Sequence, residues 1–574
     1  MYLIVYSAPM LRRLLLSLAL LAAIIPASVW GQTDGVLQLD GETARFLQSQ
    51  RTKGHLPKAF LSHQPLSVPD ARRYLDTLAA RDSAEQILSA ANRTQLARLR
   101  GTADRPGAAW AQRTVSLYDN GRDLLSWRGD RYGLQINPLY YGHVGASLHD
   151  EDSDRVANGM AWRNTRGLRL SGHIGDYLFF ESRVSENQWK PVWDEFANNT
   201  APRVPHISFH DPGTAYDYFQ ATGIIGLHTR HVELRLGRDR NHWGPGQGSI
   251  FLSDYSPVYD QAQLRVTLGP VQYTYLLARF LNATPETSTR PFRPSRYAAF
   301  HRFVVQVTDR LDLTFFEGII MNRDTLGVQR SSTGFDPAYL NPVTLFRGIE
   351  RDLGSPDNAV LGVGGSWRPI DGARLYGQFM LDELRVSRIG DEWWGNKWGW
   401  MLGLHVVEPG IPNLSARLEA ARVRPYVYSH RTGATALTHM DDIVGHPAGP
   451  NSVDLSLFLD YHPPGPWGAR LNAAWTVRGR NAVNDAGEVT TNYGADPAVS
   501  FQNRASQYGV SMLQGIRQRQ GLVEAAAAYE VLPNLRVTAA LRGEVVDDAE
   551  RGLDYYLSPR LALNWGLPFQ SLRY

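Results

Sequence analysis

The chain has 574 residues and a formal net charge of +3, a balance too mild to indicate nucleic acid as a partner. It has no cysteine, which excludes disulfide bonds, thiolate metal sites and a thiol nucleophile. No Pro- or Ser-rich linker divides the sequence, so its length is compatible with a single large domain.

Residues 1–31 have the pattern of a secretory signal peptide. Two arginines precede the apolar run LLLSLALLAAIIPASVWG, which is short for a membrane-spanning helix and ends in small residues. We expect cleavage between Gly31 and Gln32, with a retained N-terminal anchor helix as the alternative. Either Met1 or Met10 is the start of the protein. No later segment is apolar for long enough to predict a second membrane-spanning helix.

Residues 32–128 are predicted to form a small helical unit. Ser67 can cap a helix that carries Pro69 in its first turn, and Ser83 can cap a second helix. A third short helix is predicted near residues 108–118. We interpret this unit as a packing accessory to a larger domain and assign it no catalytic role.

Residues 129–574 are predicted to form an all-β transmembrane barrel, with eighteen candidate antiparallel strands from Tyr132 onward. Short and long connections are expected to alternate strictly, which is typical of an outer-membrane barrel. The tight connections are expected at Ile174–Tyr177, Leu227–His231, Gly269–Val271, Asp309–Leu311, Asp371–Ala373, Pro409–Asn413, Pro463–Trp467 and Pro533–Asn534. The longer loops include residues 188–214, 241–260, 281–296, 323–357, 428–451 and 481–518.

Each predicted strand has an apolar face and a polar face. In LRVTAALRGEV, for example, Val537 and Leu541 alternate with Arg536 and Arg542. In a barrel that spans lipid, the polar face lines a water-filled lumen. The alternative to the barrel is a soluble fold of several β-sheets. The lumen is then expected to be net positive and to prefer anions. The arginines assigned to it are Arg235, Arg265, Arg302, Arg417, Arg478, Arg536, Arg542 and Arg560, against the acidic Glu233, Glu419 and Glu544.

An even strand count places the helical unit and the C-terminus at the barrel end that carries the tight turns. That end is expected to be periplasmic, and the long loops are expected to be extracellular. Aromatic residues near the strand ends are expected to form two interfacial girdles in the outer-membrane lipid. They are Tyr177, Tyr273, Tyr275, Trp367, Trp400, Tyr461, Trp475, Tyr529 and Trp565.

One polar cluster in the long loop after the fifth of these strands suggests a ligand. Guanidinium groups pair with carboxylates, amide and imidazole groups bond hydroxyls, and an indole can lie against a sugar face. The alternative is structural: the same groups pair with one another, fold the loop inward and narrow the pore. The cluster is Arg238, Asp239, Arg240, Asn241, His242 and Trp243.

Five strings, taken together and in order, resemble the capsule-assembly Wzi family of outer-membrane proteins, particularly its Bacteroidetes-type members. They are GRDRNHWGPGQGSIFLSD at Gly237–Asp254, FDPAYLNPVTLFRGIE at Phe335–Glu350, SPDNAVLGVGGSW at Ser355–Trp367, YGQFMLDE at Tyr376–Glu383 and VGHPAGPNSVDLSLFLDY at Val444–Tyr461. The resemblance implies an eighteen-stranded outer-membrane barrel with a periplasmic helical bundle. It also implies a lectin-like role in holding capsular polysaccharide or exopolysaccharide on the cell surface, although some similar proteins belong to gliding-motility machinery.

Metal and hydrolase chemistry have weaker support. His439, Asp441, Asp442 and His446 lie close together in one loop, but their spacing matches no metal motif, and scattered loop histidines are the simpler interpretation. A barrel hydrolase needs paired Asp/His or Ser/His groups, which no motif here indicates. We therefore expect no catalytic residue, metal or cofactor.

The sequence thus predicts a non-enzymatic outer-membrane barrel that attaches surface polysaccharide, with the polysaccharide export machinery as a further candidate partner. A diffusion channel for anionic or sugar solutes is the second hypothesis, and a barrel hydrolase or gliding-motility component is the third. An open lumen distinguishes the channel from the attachment protein, because only the channel requires one.

Overall fold

The computed structural model describes residues 36–37, 41–100, 117–120, 123–146, 148–149, 160–191, 208–210, 215–282, 295–321, 335–354 and 357–567. The signal peptide lies outside the described residues. The predicted third helix, near residues 108–118, also falls almost entirely outside them.

Four α-helices are described: α1 (Glu42–Thr52), α2 (Val68–Glu85), α3 (Ala90–Arg100) and α4 (Phe346–Leu353). Ser67 caps α2 as predicted, because its hydroxyl accepts the amide of Asp70. Ser83 is not a cap. It lies within α2 and its hydroxyl donates to the carbonyl of Ala79, while Ser89 accepts the amide of Asn92 at the start of α3.

Eighteen strands form a closed antiparallel barrel. The first nine are β1 (Tyr132–Ala146), β2 (Met160–Ile174), β3 (Leu178–Lys190), β4 (Ala215–His228), β5 (Val232–Asp239), β6 (Tyr259–Leu268), β7 (Val271–Leu281), β8 (Ser295–Thr308) and β9 (Leu311–Met321). The last nine are β10 (Asn358–Ile370), β11 (Ala373–Glu383), β12 (Lys397–Val407), β13 (Leu414–Val423), β14 (Ser452–Tyr461), β15 (Trp467–Arg480), β16 (Ile516–Leu532), β17 (Leu535–Asp548) and β18 (Gly552–Trp565).

The barrel closes where β18 pairs with β1, with Leu561 opposite Val144. This confirms the predicted strand number, and all eight predicted tight connections lie between consecutive strands at one end, which we call the turn end. The strict alternation of short and long connections is wrong at one point. At the opposite end, the loop end, β17 and β18 are joined by residues 549–551 alone, because the Asp548 carboxylate accepts the amides of Glu550 and Arg551.

The two faces of the strands separate as the sequence predicts. Outward side chains such as Leu236 and Leu541 are exposed, whereas inward ones such as Arg265 and Glu419 are buried. A wall of exposed apolar side chains around a closed barrel is stable only in lipid, so the fold is a transmembrane β-barrel. Among the described residues, no helix is both long enough and apolar enough to cross a bilayer.

The N-terminal helices close the turn end of the barrel. We call residues 41–100 the plug. Its apolar core includes Phe46, Leu75 and Leu96. Contacts with the strand connections hold it in position: the Gly372 amide donates to the Thr52 carbonyl at 3.0 Å.

A second accessory element lies on the outside of the barrel. We call residues 335–354, which end in α4, the strap. It packs on the outer wall of β7–β9, where the Tyr275 hydroxyl donates to the Tyr339 carbonyl at 3.0 Å. This part of the long loop 323–357 therefore lies against the wall, and Tyr273 and Tyr275, which were predicted to belong to an interfacial girdle, bond the strap.

Candidate functional site

The connection between β5 and β6 folds into the lumen. We call residues 240–258 the inner loop. The side chain of Gln378, on the inner face of β11, accepts the amide of Ile250 at 2.9 Å and donates to the Trp243 carbonyl at 2.7 Å. The Glu419 carboxylate, on β13, accepts the amides of Gln247 and Gly248 at 2.6 and 2.9 Å. Strand side chains therefore satisfy the backbone groups that the loop brings into the interior.

The glycines of the GPGQG string allow this close approach. A Cβ on Gly246 would lie 2.7 Å from a Glu419 oxygen, and one on Gly244 would lie 2.8 Å from the Gln378 amide nitrogen. Both distances are shorter than a carbon atom tolerates, so a side chain at either position would displace the Glu419 or Gln378 group that bonds the loop.

The inner loop and the plug meet inside the barrel. The Gly244 amide donates to the Ser62 carbonyl at 3.0 Å, and residues His63–Gln64 form a two-residue antiparallel ladder with His242–Trp243. Trp243 is fully buried, with its ring edge-on to Phe316 and its centroid 5.9 Å from that of His63. The lumen is therefore obstructed by protein that enters from both ends.

The arginines predicted to line the lumen lie on the inner face, and each bonds a protein group there. Arg265 pairs with Asp70 of the plug and Glu233 of the wall. Arg302 donates to the Ser62 hydroxyl at 2.5 Å, and Arg417 donates to the Gln48 side chain at 2.8 Å.

The other five predicted lumen arginines are also engaged. Arg235 bonds the Pro65 carbonyl and Glu233, Arg478 bonds Gln518, Arg536 lies 3.5 Å from Glu42, Arg542 pairs with Glu544, and Arg560 pairs with Glu524. Five of the eight arginines therefore pair with carboxylates, whereas Arg302, Arg417 and Arg478 bond neutral side chains.

A polar space remains beside the plug at the turn end. Its volume is about 80 Å³, and its lining includes Arg45, Arg98, Glu530 and Arg536. It lies between the plug and strands β15–β18, on the opposite side of the lumen from the contact between Trp243 and His63.

The structure does not bring the predicted polysaccharide cluster to one surface. Arg238 faces outward beside Leu236 and pairs with Asp260 on the outer wall at 3.1 Å. Asn241 is buried and donates to the Tyr259 hydroxyl, and His242 is buried with its Nε2 3.0 Å from the Gly246 carbonyl.

The remaining members do not restore a glycan-facing surface. The Arg240 amide donates to the side chain of its neighbour Asp239, and Trp243 has no exposed face on which a sugar could stack. The structural alternative, an inward fold that narrows the pore, accounts for His242 and Trp243.

The loop histidines that were weighed as metal ligands have other roles. His439 accepts the Leu281 amide at Nδ1, and its Nε2 lies 3.2 Å from the Val258 carbonyl, so both ring nitrogens are used. Burial lowers the pKa of His439 to about 3. Elsewhere in the described chain, one group is close enough together to suggest a metal site: Asp70, His228 and Glu233. The Arg265 guanidinium pairs with both carboxylates there and supplies the positive charge that a metal ion would bring.

A partly exposed, aromatic and arginine-rich surface lies at the loop end, where Arg388 pairs with Asp391 at 3.3 Å, and the sequence reasoning missed it. We call Arg385, Arg388, Trp393, Arg504 and Tyr508 the ridge. The Arg388 guanidinium lies 5.6 Å from the centre of the Tyr508 ring, and that of Arg385 lies 5.9 Å from the Trp393 ring. Tyr508 is 45% exposed. The available signal was the string DEWWGNKW, two adjacent tryptophans in a polar loop.

A rigid base supports the ridge. Trp394, Tyr426 and Phe501 form a buried aromatic cluster, and the Trp394 amide donates to the Gln507 carbonyl, which joins the two ridge loops. Arg504 lies 4.5 Å from the Trp394 ring centre. The exposed guanidinium groups and rings are therefore held in place before any ligand arrives.

Comparisons with solved structures support the fold. The chain is similar to Wzi from Escherichia coli, which is described as an outer-membrane protein involved in group 1 capsule assembly and as a carbohydrate-binding β-barrel. The two structures have a TM-score of 0.55 and 12% sequence identity, and the match covers 94% of this chain and 100% of Wzi. It is less similar to OprD from Pseudomonas aeruginosa, with a TM-score of 0.38, 11% identity and coverage of 75% and 94%. A BenF-like porin from Pseudomonas fluorescens gives a TM-score of 0.42, 9% identity and coverage of 76% and 99%.

No protein-family model matches the sequence, and no curated protein matches it. The likeness to Wzi is structural and extends over nearly the whole chain.

Proposed function

We propose that this protein is an outer-membrane barrel that binds an acidic capsular polysaccharide or exopolysaccharide through the ridge and attaches it to the cell surface. The observation that carries the proposal is the obstructed lumen: the inner loop and the plug meet at Ser62 and Gly244, so ligand contacts belong at the loop end. In this proposal the loop end is extracellular and the plug is periplasmic.

The chemistry of the ridge supports an acidic sugar polymer as the ligand. A guanidinium group bonds a carboxylate through two parallel hydrogen bonds, and the half-buried Trp393 ring and the exposed Tyr508 ring offer apolar faces to sugar C–H groups. Each contact contributes on the order of 1 kcal/mol, but a repeating polymer multiplies weak contacts. The similar barrel Wzi is described as carbohydrate-binding, which agrees with this use of the fold.

Binding of alginate, a uronic-acid polymer, to the purified barrel in detergent tests the proposal, with dextran as the uncharged comparison. Replacing Arg388, Arg504 and Tyr508 together by Ala is expected to weaken alginate binding at least about tenfold, since each lost contact contributes about 0.5–1 kcal/mol. Raised salt is expected to weaken binding by the unaltered protein.

A matched control removes two arginines at the opposite end. Arg128 and Arg310 are exposed at the turn end, so R128A/R310A has the same loss of charge without touching the ridge. Equal alginate binding by the ridge variant and this control would overturn the proposal.

A diffusion channel for anions is the second candidate, and the small polar space of about 80 Å³ beside the plug is the observation that favours it. Its arginine-rich lining would attract small anions. Single-channel conductance in planar bilayers decides between the two: the attachment proposal expects no steady open state, whereas a porin shows ohmic, anion-selective current.

A further inference from the structure

The strap covers two polar side chains on the outer wall of the barrel. By strand alternation, His301 and Glu317 face outward, opposite one another on β8 and β9, yet they are only 2% and 0% exposed. Phe346 covers His301 with a centroid distance of 3.9 Å, and the Glu317 carboxylate accepts the Arg347 amide at 3.0 Å. A carboxylate at the start of α4 suits the partial positive charge of a helix N-terminus.

Below the strap the same wall is apolar. Outward Val305, Val307 and Leu313 continue the strands toward the turn end and are exposed, as expected for residues that face hydrocarbon. The strap therefore lies between the exposed apolar part of this wall and the loop end.

Protein groups bond several backbone groups along the lowest part of the strap. The Tyr275 and Tyr273 hydroxyls donate to the carbonyls of Tyr339 and Pro342 at 3.0 and 2.8 Å. The Asn341 side chain accepts the amides of Val343 and Thr344. Irregular backbone is tolerated at membrane depth only when its polar groups are paired in this way.

The outer surface of the same part is uncharged and uncovered, with the polar Asn341 and Thr344 among apolar side chains. Residues 340–345 contain no charge, and Leu340, Val343 and Leu345 are 44%, 85% and 54% exposed. Charged residues begin at Arg347, which pairs with Glu350 at 2.6 Å in α4.

We propose that residues 340–345 are a membrane-inserted tip whose exposed side chains lie among the lipid acyl chains of the leaflet nearer the loop end. The charged residues of α4 then lie at the headgroup level. Continuity with the apolar wall below, and the paired backbone, identify lipid as the occupant. A protein partner or a second copy would not require the backbone to be paired internally.

The absence of native cysteine makes a direct test clean. Val343→Cys is labelled with an environment-sensitive fluorophore, and the full-length protein is reconstituted in phosphatidylcholine vesicles that contain doxyl-labelled acyl chains. We expect quenching by the acyl-chain label to exceed quenching by aqueous iodide at least about threefold. L313C, on the lipid-facing wall, is the matched positive control, and V489C, exposed in a loop-end hairpin, is the aqueous control.

The two quenchers distinguish lipid, water and protein as the surroundings of the tip. Iodide quenching at V343C equal to that at V489C would place the tip in water and overturn the proposal. Protection from both quenchers would indicate a protein cover and would also overturn it. If V343C inserts poorly, L345C carries the same test.

Discussion

His63 of the plug lies against Trp243 of the inner loop, their ring centroids 5.9 Å apart and both side chains completely buried. One residue arrives from each end of the barrel, so this contact joins two elements that the sequence separates by 180 positions (243 − 63). Disrupting either element is therefore expected to open the lumen and to lower the stability of the protein.

Replacing Trp243 by Ala is expected to cost about 3–5 kcal/mol of unfolding free energy, because a fully buried indole leaves a large cavity. Thermal unfolding on gels and conductance in planar bilayers measure the two effects, and we expect a lower transition temperature with intermittent current. The variant R238A is the control, since Arg238 pairs with Asp260 on the outer wall; a conductance increase in that variant would contradict this assignment.

Replacing Asp70 by Ala is expected to loosen the plug. Asp70 pairs with the buried Arg265, and losing one partner of a buried ion pair costs about 2–4 kcal/mol. The accessibility of the plug to protease in intact vesicles reports its release. Asp76 pairs with Arg100 on the plug surface, so D76A is expected to change the unfolding free energy by less than about 0.5 kcal/mol.

Acidification is expected to weaken the plug and the loop end. Burial lowers the pKa of His63 well below 6.5, with nearby Arg265 and Arg235 adding to the effect, and lowers the pKa of His430 and His439 to about 3. The folded form therefore binds fewer protons than the unfolded form below pH 6.5. Stability is constant above about pH 7 and falls by up to about 1.4 kcal/mol per pH unit for each of these histidines.

A pH series of unfolding midpoints between 7.5 and 4.5 checks this expectation. H439Q retains an amide that can pair with the Leu281 and Val258 backbone, and it should show a smaller loss on acidification than the unaltered protein. An identical pH slope in the two proteins would show that His439 does not contribute.

Deleting residues 41–100 is expected to leave a closed barrel, because the ladder from β1 to β18 involves none of them. The deletion exposes Arg265, Arg302 and Asp312, which now pair with plug groups, and should convert part of the lumen into an anion-attracting path. Retained heat-modifiability with raised conductance is the expected result. Failure to insert would show that the plug is required for barrel assembly.

The sequence determined the strand number, the tight turns and the two faces because these are local properties. Alternation with a period of two is readable within ten residues, and the inward position of Arg417 and the outward position of Leu418 follow from it. Ser83 was wrong as a cap because serine also occurs within helices, where its hydroxyl bonds the preceding turn.

Only the tertiary structure decided what the lumen contains and what the strap covers. Gly244 meets Ser62, and Glu419 binds the amide of Gln247, through contacts that span more than a hundred residues and leave no periodic signal. The same applies to Glu317, which lies on the lipid-facing side of its strand, where a carboxylate is unfavourable. Only the tertiary structure shows that α4 covers this carboxylate and donates the Arg347 amide to it. An indole in a polar loop has the same local sequence whether it meets a sugar or a buried histidine, and burial alone distinguished the two for Trp243.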